Sequence, residues 1–314
     1  MYDQILDANV NRASEGLRVI EEYVRFVRSD SSLTSMVSSM RKSINSLFPQ
    51  SASLLSSRQV SGDVRAKEKP VSRETLFDLL SANFKRVQEA LRVLEEYSGK
   101  SACNGFRYDC YDLESKILLL AKKPVLLAGV YLISDDPAVL EKGLSWGCSM
   151  VQLRDKFATK QEIYNKAVAV SEVSKKHSVP FIVNDYVDIA LLVDADGLHT
   201  GQDDISVRSL RELMGDEKIL GRTTHSLDQG VLAERDGADY VSVGPIYRTP
   251  SKPDRDPIGY DYLKKARSSL SIPYVAIGGI DDRSISSVMD CCPPMVGVIR
   301  SFDCVPDWIE RFYS

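Results

Sequence analysis

The stretch Phe181–Asp204, FIVNDYVDIALLVDADGLHTGQDD, decides the fold that we predict for this chain. It opens with the apolar run Phe181-Ile182-Val183, which has the β-branched and aromatic character of a buried strand. A helical segment follows at about Val187–Val193, and a second strand pattern occupies Gly197–Thr200. Two strands joined by a helix form a βαβ unit, whose strands run parallel. The stretch therefore predicts a parallel sheet.

Both strands of this unit end in polar residues. Asn184-Asp185 follows the first strand, and Gln202-Asp203-Asp204 follows the second. In a parallel sheet the carboxyl ends of the strands share one face, so we expect these side chains to lie close together. Carboxylates beside an amide are hard oxygen ligands of the kind that Mg²⁺ takes, usually together with waters and substrate phosphates. The pattern predicts a magnesium site, held by Asp185 and Asp204, for a diphosphate.

Length and composition limit the classes of protein that the chain can belong to. Its 314 residues predict two domains, or one large barrel with an appendage. Hydrophobic residues at 43% and charged residues at 27% are typical of a globular protein with a full core. The net charge of -4 gives no reason to expect nucleic acid or an anionic membrane as a partner. We therefore expect small-molecule substrates, and the composition leaves a homo-oligomer open.

The cysteines and the N-terminus indicate a cytoplasmic protein. None of the six cysteines forms a CxxC pair, and a chain of this size does not need disulfides, so we expect reduced thiols. The N-terminal MYDQILDANVNR carries early acids and no long apolar core, unlike a signal peptide. No apolar run approaches the roughly 20 residues that span a bilayer.

The first part of the chain contains a repeat. Residues 8–23, ANVNRASEGLRVIEEY, recur as residues 82–97, ANFKRVQEALRVLEEY, and both copies have the apolar spacing of an amphipathic helix. Further helices are predicted at residues 31–47 and at about 108–121, and a polar loop at 56–70. We expect an all-α domain of residues 1–123, built as two similar halves.

Within each copy of the repeat, polar residues fall three apart and so wind round one side of the helix. One interpretation is a polar pocket that binds an anion, and the other is a set of structural salt bridges and caps; we favour the structural interpretation. The residues concerned are Asn9, Arg12, Glu15 and Arg18 in the first copy, and Asn83, Arg86, Glu89 and Arg92 in the second.

From residue 124 to residue 314 the chain alternates short strand patterns with helical segments. Eight such units in roughly 190 residues predict a small (β/α)₈ TIM barrel. The alternative, an open doubly wound sheet, calls for a glycine-rich turn after its first strand, and Ile133–Pro137 is not one. The predicted strands are Val130–Ile133, Met150–Leu153, Phe181–Val183, Gly197–Thr200, Ile219–Thr223, Tyr240–Val243, Tyr274–Ile277 and Val296–Ile299.

The polar clusters of this region follow the strands, at the face where such barrels have their active sites. Three cations, Arg154, Lys156 and Lys252, together with magnesium supply more positive charge than one monophosphate needs, so a diphosphate fits better. Gly278-Gly279 and the backbone near Ile299-Arg300 match the phosphate cradle that barrels form after their last two strands. Two phosphate-bearing substrates on one face predict a transfer reaction.

Four runs carry a resemblance to a known family. VQLRDK, IVNDYVDIALLVDADGLHTGQDD, GADYVSVGPIYRTPSK and VAIGGI closely resemble thiamine phosphate synthase, over roughly residues 127–302. The repeat region resembles the helical domain sometimes found ahead of that enzyme. The resemblance implies a transferase that couples a hydroxymethylpyrimidine diphosphate with a thiazole phosphate, or its carboxylated form, to give thiamine phosphate and diphosphate. It also implies a dissociative reaction in which diphosphate leaves before the thiazole nitrogen attacks.

The resemblance also implies roles for individual residues. The pyrimidine diphosphate is expected at Gln152, Leu153, Arg154, Asp155, Lys156, Asn184, Thr223 and Lys252, with Arg154, Lys156 and Lys252 catalytic. The thiazole phosphate is expected at Thr249, Pro250, Ser251, Gly279, Ile299 and Arg300. Magnesium is expected at Asp185 and Asp204. Three positions depart from the family pattern: Thr223 and Ser251 exchange one hydroxyl residue for another, and Arg300 stands where Ser is common. His199 and His225 are expected to orient loops or fill strand ends.

Two other functions remain open at this stage. A thiazole tautomerase is a related barrel that handles the thiazole phosphate alone, but it would not need the retained Arg154, Lys156, Asp185, Asp204 and Lys252. A binding module, in which the helical half recruits a pathway partner, is the other.

Overall fold

The computed structural model describes residues 2–52, 54, 73–250 and 255–313. The chain divides into two compact units, Met1–Val125 and Leu126–Ser314, a division two residues beyond the boundary predicted after residue 123. The predicted loop at residues 56–70, and the predicted site residues Ser251 and Lys252, lie outside the described residues.

The first unit is helical in its described part. Its helices are α1 Asp3–Glu22, which continues as a π-helical turn at Tyr23–Val27, α2 Ser31–Leu47, α3 Leu76–Ser98 and α4 Ala102–Lys122. The repeat helices α1 and α3 both extend beyond the 16-residue motif. Helix α3 begins at Leu76 because the Thr75 side chain accepts a hydrogen bond from the Asp78 backbone N–H, which caps the first turn.

The apolar faces of the repeat helices form the core of this unit. Leu17 in α1 and Leu91 in α3 are fully buried in the same cluster. Gly16 allows the two helices to approach closely, because a Cβ added there would lie 2.7 Å from Val87 Cγ2. The matching position in the second copy is Ala90, also small and buried.

Several polar residues of the repeat make the same contact within their own helix in both copies. Asn9 Nδ2 donates to Ile5 O at 2.8 Å, and Asn83 Nδ2 donates to Leu79 O at 2.8 Å. Likewise Arg18 pairs with Glu22, and Arg92 with Glu96, each at 2.5 Å. These contacts are the structural hydrogen bonds and salt bridges that we favoured over an anion-binding pocket. An open cleft of about 900 Å³ does lie beside them, lined by Arg12, Arg73, Lys85, Arg86, Glu74, Asp78 and Glu89 among others.

The second unit is a closed barrel of eight parallel strands, with each strand paired to the next and β8 paired to β1. The strands are β1 Gly129–Ser134, β2 Met150–Leu153, β3 Phe181–Asn184, β4 Gly197–Thr200, β5 Ile219–Thr224, β6 Tyr240–Val243, β7 Tyr274–Ile277 and β8 Met295–Val298. The helices are α5 Pro137–Trp146, α6 Lys160–His177, α7 Val187–Leu192, α8 Val207–Met214, α9 Leu227–Arg235, α10 Gly259–Ser269, α11 Ile285–Met289 and α12 Val305–Tyr313, with a 3₁₀ turn at Phe302–Cys304.

These elements confirm the predicted fold class, a (β/α)₈ barrel preceded by a smaller all-α domain. Strands β2, β4, β6 and β7 have the predicted bounds. The eighth strand starts and ends one residue earlier than predicted, because Met295 also pairs with Gly129.

Side chains alternate along the strands and so form two cores. Tyr131, Met150, Ile182 and Tyr240 belong to a cluster that fills the barrel interior. Their neighbours in sequence pack outward against the helices, in the larger of the barrel's two clusters. The parallel arrangement brings the carboxyl ends of all eight strands to one rim.

Two further expectations concern membrane-spanning helices and the state of the cysteines. Among the described residues, no helix is both long enough and apolar enough to cross a membrane. All six cysteines are free thiols, and Cys103, Cys110 and Cys148 are buried.

Candidate active site

A cavity of about 700 Å³ opens at the carboxyl ends of the barrel strands. It brings together residues from loops that are far apart in sequence, as expected for the active face of such a barrel. The predicted site residues that line it are Gln152, Arg154, Lys156, Asn184, Asp185, Asp204, Thr223, Thr249, Pro250, Gly279, Ile299 and Arg300. Leu153 and Asp155 do not line it.

Leu153 points away from the cavity because side chains alternate along β2. Gln152 faces the interior and hydrogen bonds to the Tyr131 hydroxyl, whereas Leu153 packs in the outer core and is 1% exposed. Leu153 therefore presents no side chain to the cavity.

The buried carboxylate of Asp155 stabilises the loop after β2. This carboxylate accepts hydrogen bonds from the backbone N–H groups of Phe157 at 3.0 Å and Ala158 at 2.9 Å, and it pairs with Lys166 Nζ at 2.7 Å. Lys166 also donates to Asp135 O at 3.0 Å, which ties this loop to the one after β1. Burial raises the pKa of Asp155, but Lys166 and the two amides outweigh it and hold the pKa below its usual value.

The same loop presents the predicted cations to the cavity. Arg154 is partly buried, and burial lowers its pKa while the charge of Asp185 raises it. A guanidinium stays protonated in proteins, so Arg154 is a desolvated cation beside a carboxylate. Lys156 is exposed at the cavity wall and stabilises the charged form of the same Asp185.

The predicted metal ligands Asp185 and Asp204 adjoin each other. Asp185 has a left-handed backbone with φ 62°, which Asp tolerates better than most residues, and its N–H donates to His199 O at 2.9 Å. Burial, and then the charge and hydrogen bond of Asp204, raise the pKa of Asp185; Lys156 and Arg154 oppose this. Asp204 Oδ2 accepts from Gly201 N at 2.6 Å.

This donor set fits magnesium. Two adjoining carboxylates repel each other unless a cation or a proton lies between them. Mg²⁺ usually takes one or two carboxylates and completes its shell with waters and substrate phosphates. Among the described residues no group of three or more His, Cys, Asp or Glu side chains could hold a metal, so a site for Mg²⁺ here would rest on this pair.

Arg222 holds the loop that carries Asp204. Its guanidinium donates to Thr200 Oγ1 at 3.0 Å, to Ile205 O at 2.9 Å and to Gln202 O at 3.1 Å. The Gln202 side chain in turn donates to Thr223 O, and so ties the loop to β5. Sequence reasoning missed Arg222; the signal was an arginine in an otherwise apolar and hydroxylic strand pattern.

The predicted phosphate cradle lies across the cavity. Gly278 and Gly279 have left-handed φ values of 102° and 69°, and a Cβ at Gly279 would lie 2.6 Å from Arg248 O. Only glycine fits a backbone of this shape in this space, and it leaves main-chain groups open to a ligand. Arg300 lines the cavity beside Ile299 and is exposed.

The cavity also contains polar residues to which the sequence analysis assigned no individual binding role, although Gln202 and Asp203 belong to the cluster that it placed at this face. Most follow a strand, as the predicted ones do, so their position was a usable signal. They are Gln202, Asp203, Ser242, Arg248, Arg255, Asp281 and Ser301, together with His199 and His225, which had been assigned only to orienting loops or filling strand ends.

Comparison with known proteins identifies the family. The family model "Thiamine monophosphate synthase" matches residues 130–302, and the "ThiD2 family" model matches residues 4–116. A thiamine-phosphate synthase of Synechocystis sp. is 38% identical, over 95% of this chain and 90% of that protein. One from Thermosynechococcus vestitus is also 38% identical, over 97% and 91%. The chain belongs to the thiamine phosphate synthase family.

A solved structure agrees with this membership. The thiamine phosphate pyrophosphorylase of Pyrococcus furiosus superposes with a TM-score of 0.54 at 27% identity, covering 61% of this chain and 96% of that one. The chain is thus a thiamine phosphate synthase, a transferase of thiamine biosynthesis that acts on small molecules. These findings favour the synthase over the thiazole tautomerase and the binding module.

Proposed function

We propose that the rim cavity is where the synthase reaction takes place, with the cations of the β2 loop and the carboxylate pair serving the pyrimidine diphosphate. The observation that carries this proposal is that Arg154, Lys156, Asp185 and Asp204 line one cavity although they come from three different loops. A desolvated arginine, a lysine and two carboxylates suit a metal-assisted diphosphate leaving group.

The reaction needs charge stabilisation and no protein nucleophile. The bond between the pyrimidine methylene carbon and the diphosphate oxygen breaks, and its electron pair leaves with the diphosphate. The thiazole nitrogen then forms a bond to the methylene carbon. Arg154 and Lys156 would stabilise the negative charge that builds on the departing oxygen, the kind of preorganised electrostatic effect that carries much of catalysis. Lys252 stays a predicted third cation.

Asp185 and Asp204 would hold Mg²⁺, which when bound would neutralise charge on the diphosphate oxygens. The support for this assignment is that the two carboxylates adjoin, with Arg154 and Lys156 beside them. Asn184, at the end of β3 in the same cavity, would contribute an amide to the pyrimidine diphosphate.

The thiazole phosphate would occupy the opposite wall. The main chain at Gly279 and at Ile299-Arg300 offers N–H groups to a phosphate, and Thr249 and Pro250 adjoin it in the cavity lining. The predicted Ser251 hydroxyl would complete this subsite.

The reaction is tested by incubating the purified protein with both substrates and Mg²⁺. Diphosphate release that requires both substrates supports the proposal. Isomerisation of the thiazole phosphate without any diphosphate release would reject it in favour of a tautomerase.

Gel filtration of the same sample with light scattering would determine whether the protein is a homo-oligomer, and fractionation of cells would test the proposed cytoplasmic location.

The metal assignment is tested by Asp204→Asn. The change keeps the shape of the side chain and removes its charge, so we expect kcat to fall by orders of magnitude and the Mg²⁺ concentration for half-maximal rate to rise. Asp216→Asn, in the loop after α8 and not in the cavity lining, is the matched control, and we expect it to match the unsubstituted protein. An Asp204→Asn variant with unchanged magnesium dependence would contradict the assignment.

A further inference from the structure

A chain of hydrogen bonds crosses the barrel interior beneath the cavity. Gln152 Nε2 donates to the Tyr131 hydroxyl, and the Tyr131 and Tyr240 hydroxyl oxygens are 2.8 Å apart. The Tyr240 oxygen lies 2.9 Å from His199 Nδ1, and His199 Nε2 lies 3.0 Å from Thr223 Oγ1. The chain therefore joins Gln152 at the end of β2 to Thr223 at the end of β5, and both ends line the cavity.

The two tyrosines cannot exchange partners with solvent. Tyr131 is 1% exposed and Tyr240 is fully buried, and their rings pack edge to face with centroids 5.9 Å apart. Burial raises the pKa of both phenols, and the neighbouring Tyr131 raises that of Tyr240 further. Each phenol therefore keeps its one proton at neutral pH.

The donor at one end of this hydrogen-bond chain sets the direction of every hydrogen bond in it. The Gln152 Nε2 group can only donate, so the Tyr131 oxygen accepts from it. Among the described residues Tyr240 is the other partner of this buried hydroxyl, so the Tyr131 proton goes to Tyr240. The Tyr240 proton must then go to His199 Nδ1, which leaves that nitrogen an acceptor. A neutral imidazole with an accepting Nδ1 carries its proton on Nε2.

We propose that His199 is a positioning residue, held as the Nε2–H tautomer by Tyr240, which makes the Thr223 hydroxyl a donor directed at the diphosphate of the substrate. His199 Nε2–H donates to Thr223 Oγ1, so the threonine proton is left for another acceptor. Within the described part of the chain no other side chain hydrogen bonds to this hydroxyl, and Thr223 lines the cavity. The inference rests on the proposed function for the identity of the anion.

The direction of the chain matters because a hydroxyl has only one proton. If the bonds ran the other way, Thr223 would donate to His199 and present lone pairs to the anion. A hydrogen bond to a charged acceptor is worth more than one between neutral groups, so the correct tautomer strengthens diphosphate binding without any contact between His199 and the anion.

The tautomer is tested by ¹⁵N NMR of the full-length protein with labelled histidine. The chain has three histidines, and spectra of His177→Gln and His225→Gln assign the third to His199. We expect one ring nitrogen of His199 to be protonated and to be Nε2. A signal from the Nδ1–H tautomer, or from the doubly protonated ring at pH 8, would overturn the proposal.

Two isosteric variants distinguish the effect of the hydrogen bonds from the effect of ring packing. Tyr240→Phe removes the hydroxyl that donates to His199, and we expect the single tautomer to be lost. Tyr131→Phe removes the hydroxyl from an equally buried ring that does not hydrogen bond to the His199 nitrogen directly. Tyr240 still donates to His199 in this variant, so we expect the tautomer to be kept. Equal effects of the two substitutions on the tautomer would overturn the proposal.

Diphosphate binding is the second measurement, made by calorimetry with inorganic diphosphate and saturating Mg²⁺. We expect Thr223→Val to bind about tenfold more weakly or worse, and Thr223→Ser to bind like the unsubstituted protein. Tyr240→Phe should also bind more weakly than Tyr131→Phe. If Thr223→Val or Tyr240→Phe binds normally, the inference fails; if the unsubstituted protein does not bind diphosphate, the proposed function fails while the tautomer result stands by itself.

Discussion

At the scale of single residues, neighbours in sequence have different tasks. In the run Gln152–Lys156, Arg154 and Lys156 line the cavity, and Leu153 packs in the outer core. The Asp155 carboxylate hydrogen bonds to the backbone of its own loop. The resemblance predicted that Asp155 contacts the substrate. Its carboxylate makes three hydrogen bonds that hold the backbone from which the two cations project, and the contact with the substrate stays a prediction.

This role predicts a stability effect for Asp155→Asn. The substitution keeps an oxygen for the amides of Phe157 and Ala158 and removes the charge that pairs with Lys166. Because the carboxylate is nearly fully buried, we expect the free energy of unfolding to fall by about 1–3 kcal/mol at pH 7. Both tryptophans, Trp146 and Trp308, lie in the barrel unit, so urea unfolding followed by tryptophan fluorescence measures it.

The effect should depend on pH. The pKa of Asp155 is lower in the folded than in the unfolded chain, so its charge stabilises the fold fully above the unfolded pKa of about 4, and this is lost as the pH falls through the folded pKa. The exposed pair Lys160–Asp188 is the control, and Asp188→Asn should have a smaller effect. A loss for Asp155→Asn that stays the same in acid would count against the ion pair.

At the scale of elements, the barrel strands and helices position the loops, and arginines on these elements hold the loops in place. Arg222 does this at the rim, with bonds to Gln202 O and Ile205 O. Arg211 does it elsewhere, with bonds to Gly215 O, Lys218 O and Gly237 O in loops that precede strands. The two arginines are alike in chemistry, but Arg222 lies in strand β5 and Arg211 in helix α8, and the loops that they hold are at opposite ends of the strands.

This pair of arginines gives a matched test of whether Arg222 positions the predicted metal ligand Asp204. Lysine cannot make the several hydrogen bonds of a guanidinium, so Arg222→Lys and Arg211→Lys should both lower the free energy of unfolding, by about 1–3 kcal/mol. Only Arg222→Lys should also raise the Mg²⁺ concentration for half-maximal activity, because it loosens the loop that carries Asp204. Equal magnesium requirements in the two variants would show that Arg222 does not position Asp204.

At the scale of the whole molecule, the two units have separate hydrophobic cores. Every described residue that lines the rim cavity belongs to the barrel unit. The Pyrococcus furiosus relative is covered over 96% of its length by 61% of this chain. A barrel can therefore form this cavity from its own residues.

We expect the segment 126–314, expressed alone, to fold and to form thiamine phosphate. Its urea unfolding, followed by tryptophan fluorescence, should be cooperative, and its kcat/KM should be close to that of the full chain. The measurement compares kcat/KM of the segment 126–314 with that of the full chain, at equal protein concentration. A truncated barrel that folds but has lost activity would mean that residues 1–125 contribute to catalysis.

The sequence by itself determined the barrel, because strand and helix periodicity is local and eight alternations of the two leave few other folds. It also predicted the rim at which the candidate site residues gather, since residues after parallel strands must meet at one face, as Asp185 and Asp204 do. Only the tertiary structure decided that Asp155 turns inward, that Arg222 holds the loop that carries Asp204, and that Tyr131, Tyr240 and His199 are joined by hydrogen bonds. These contacts link residues up to 109 positions apart, and their geometry depends on barrel closure, which no local pattern encodes.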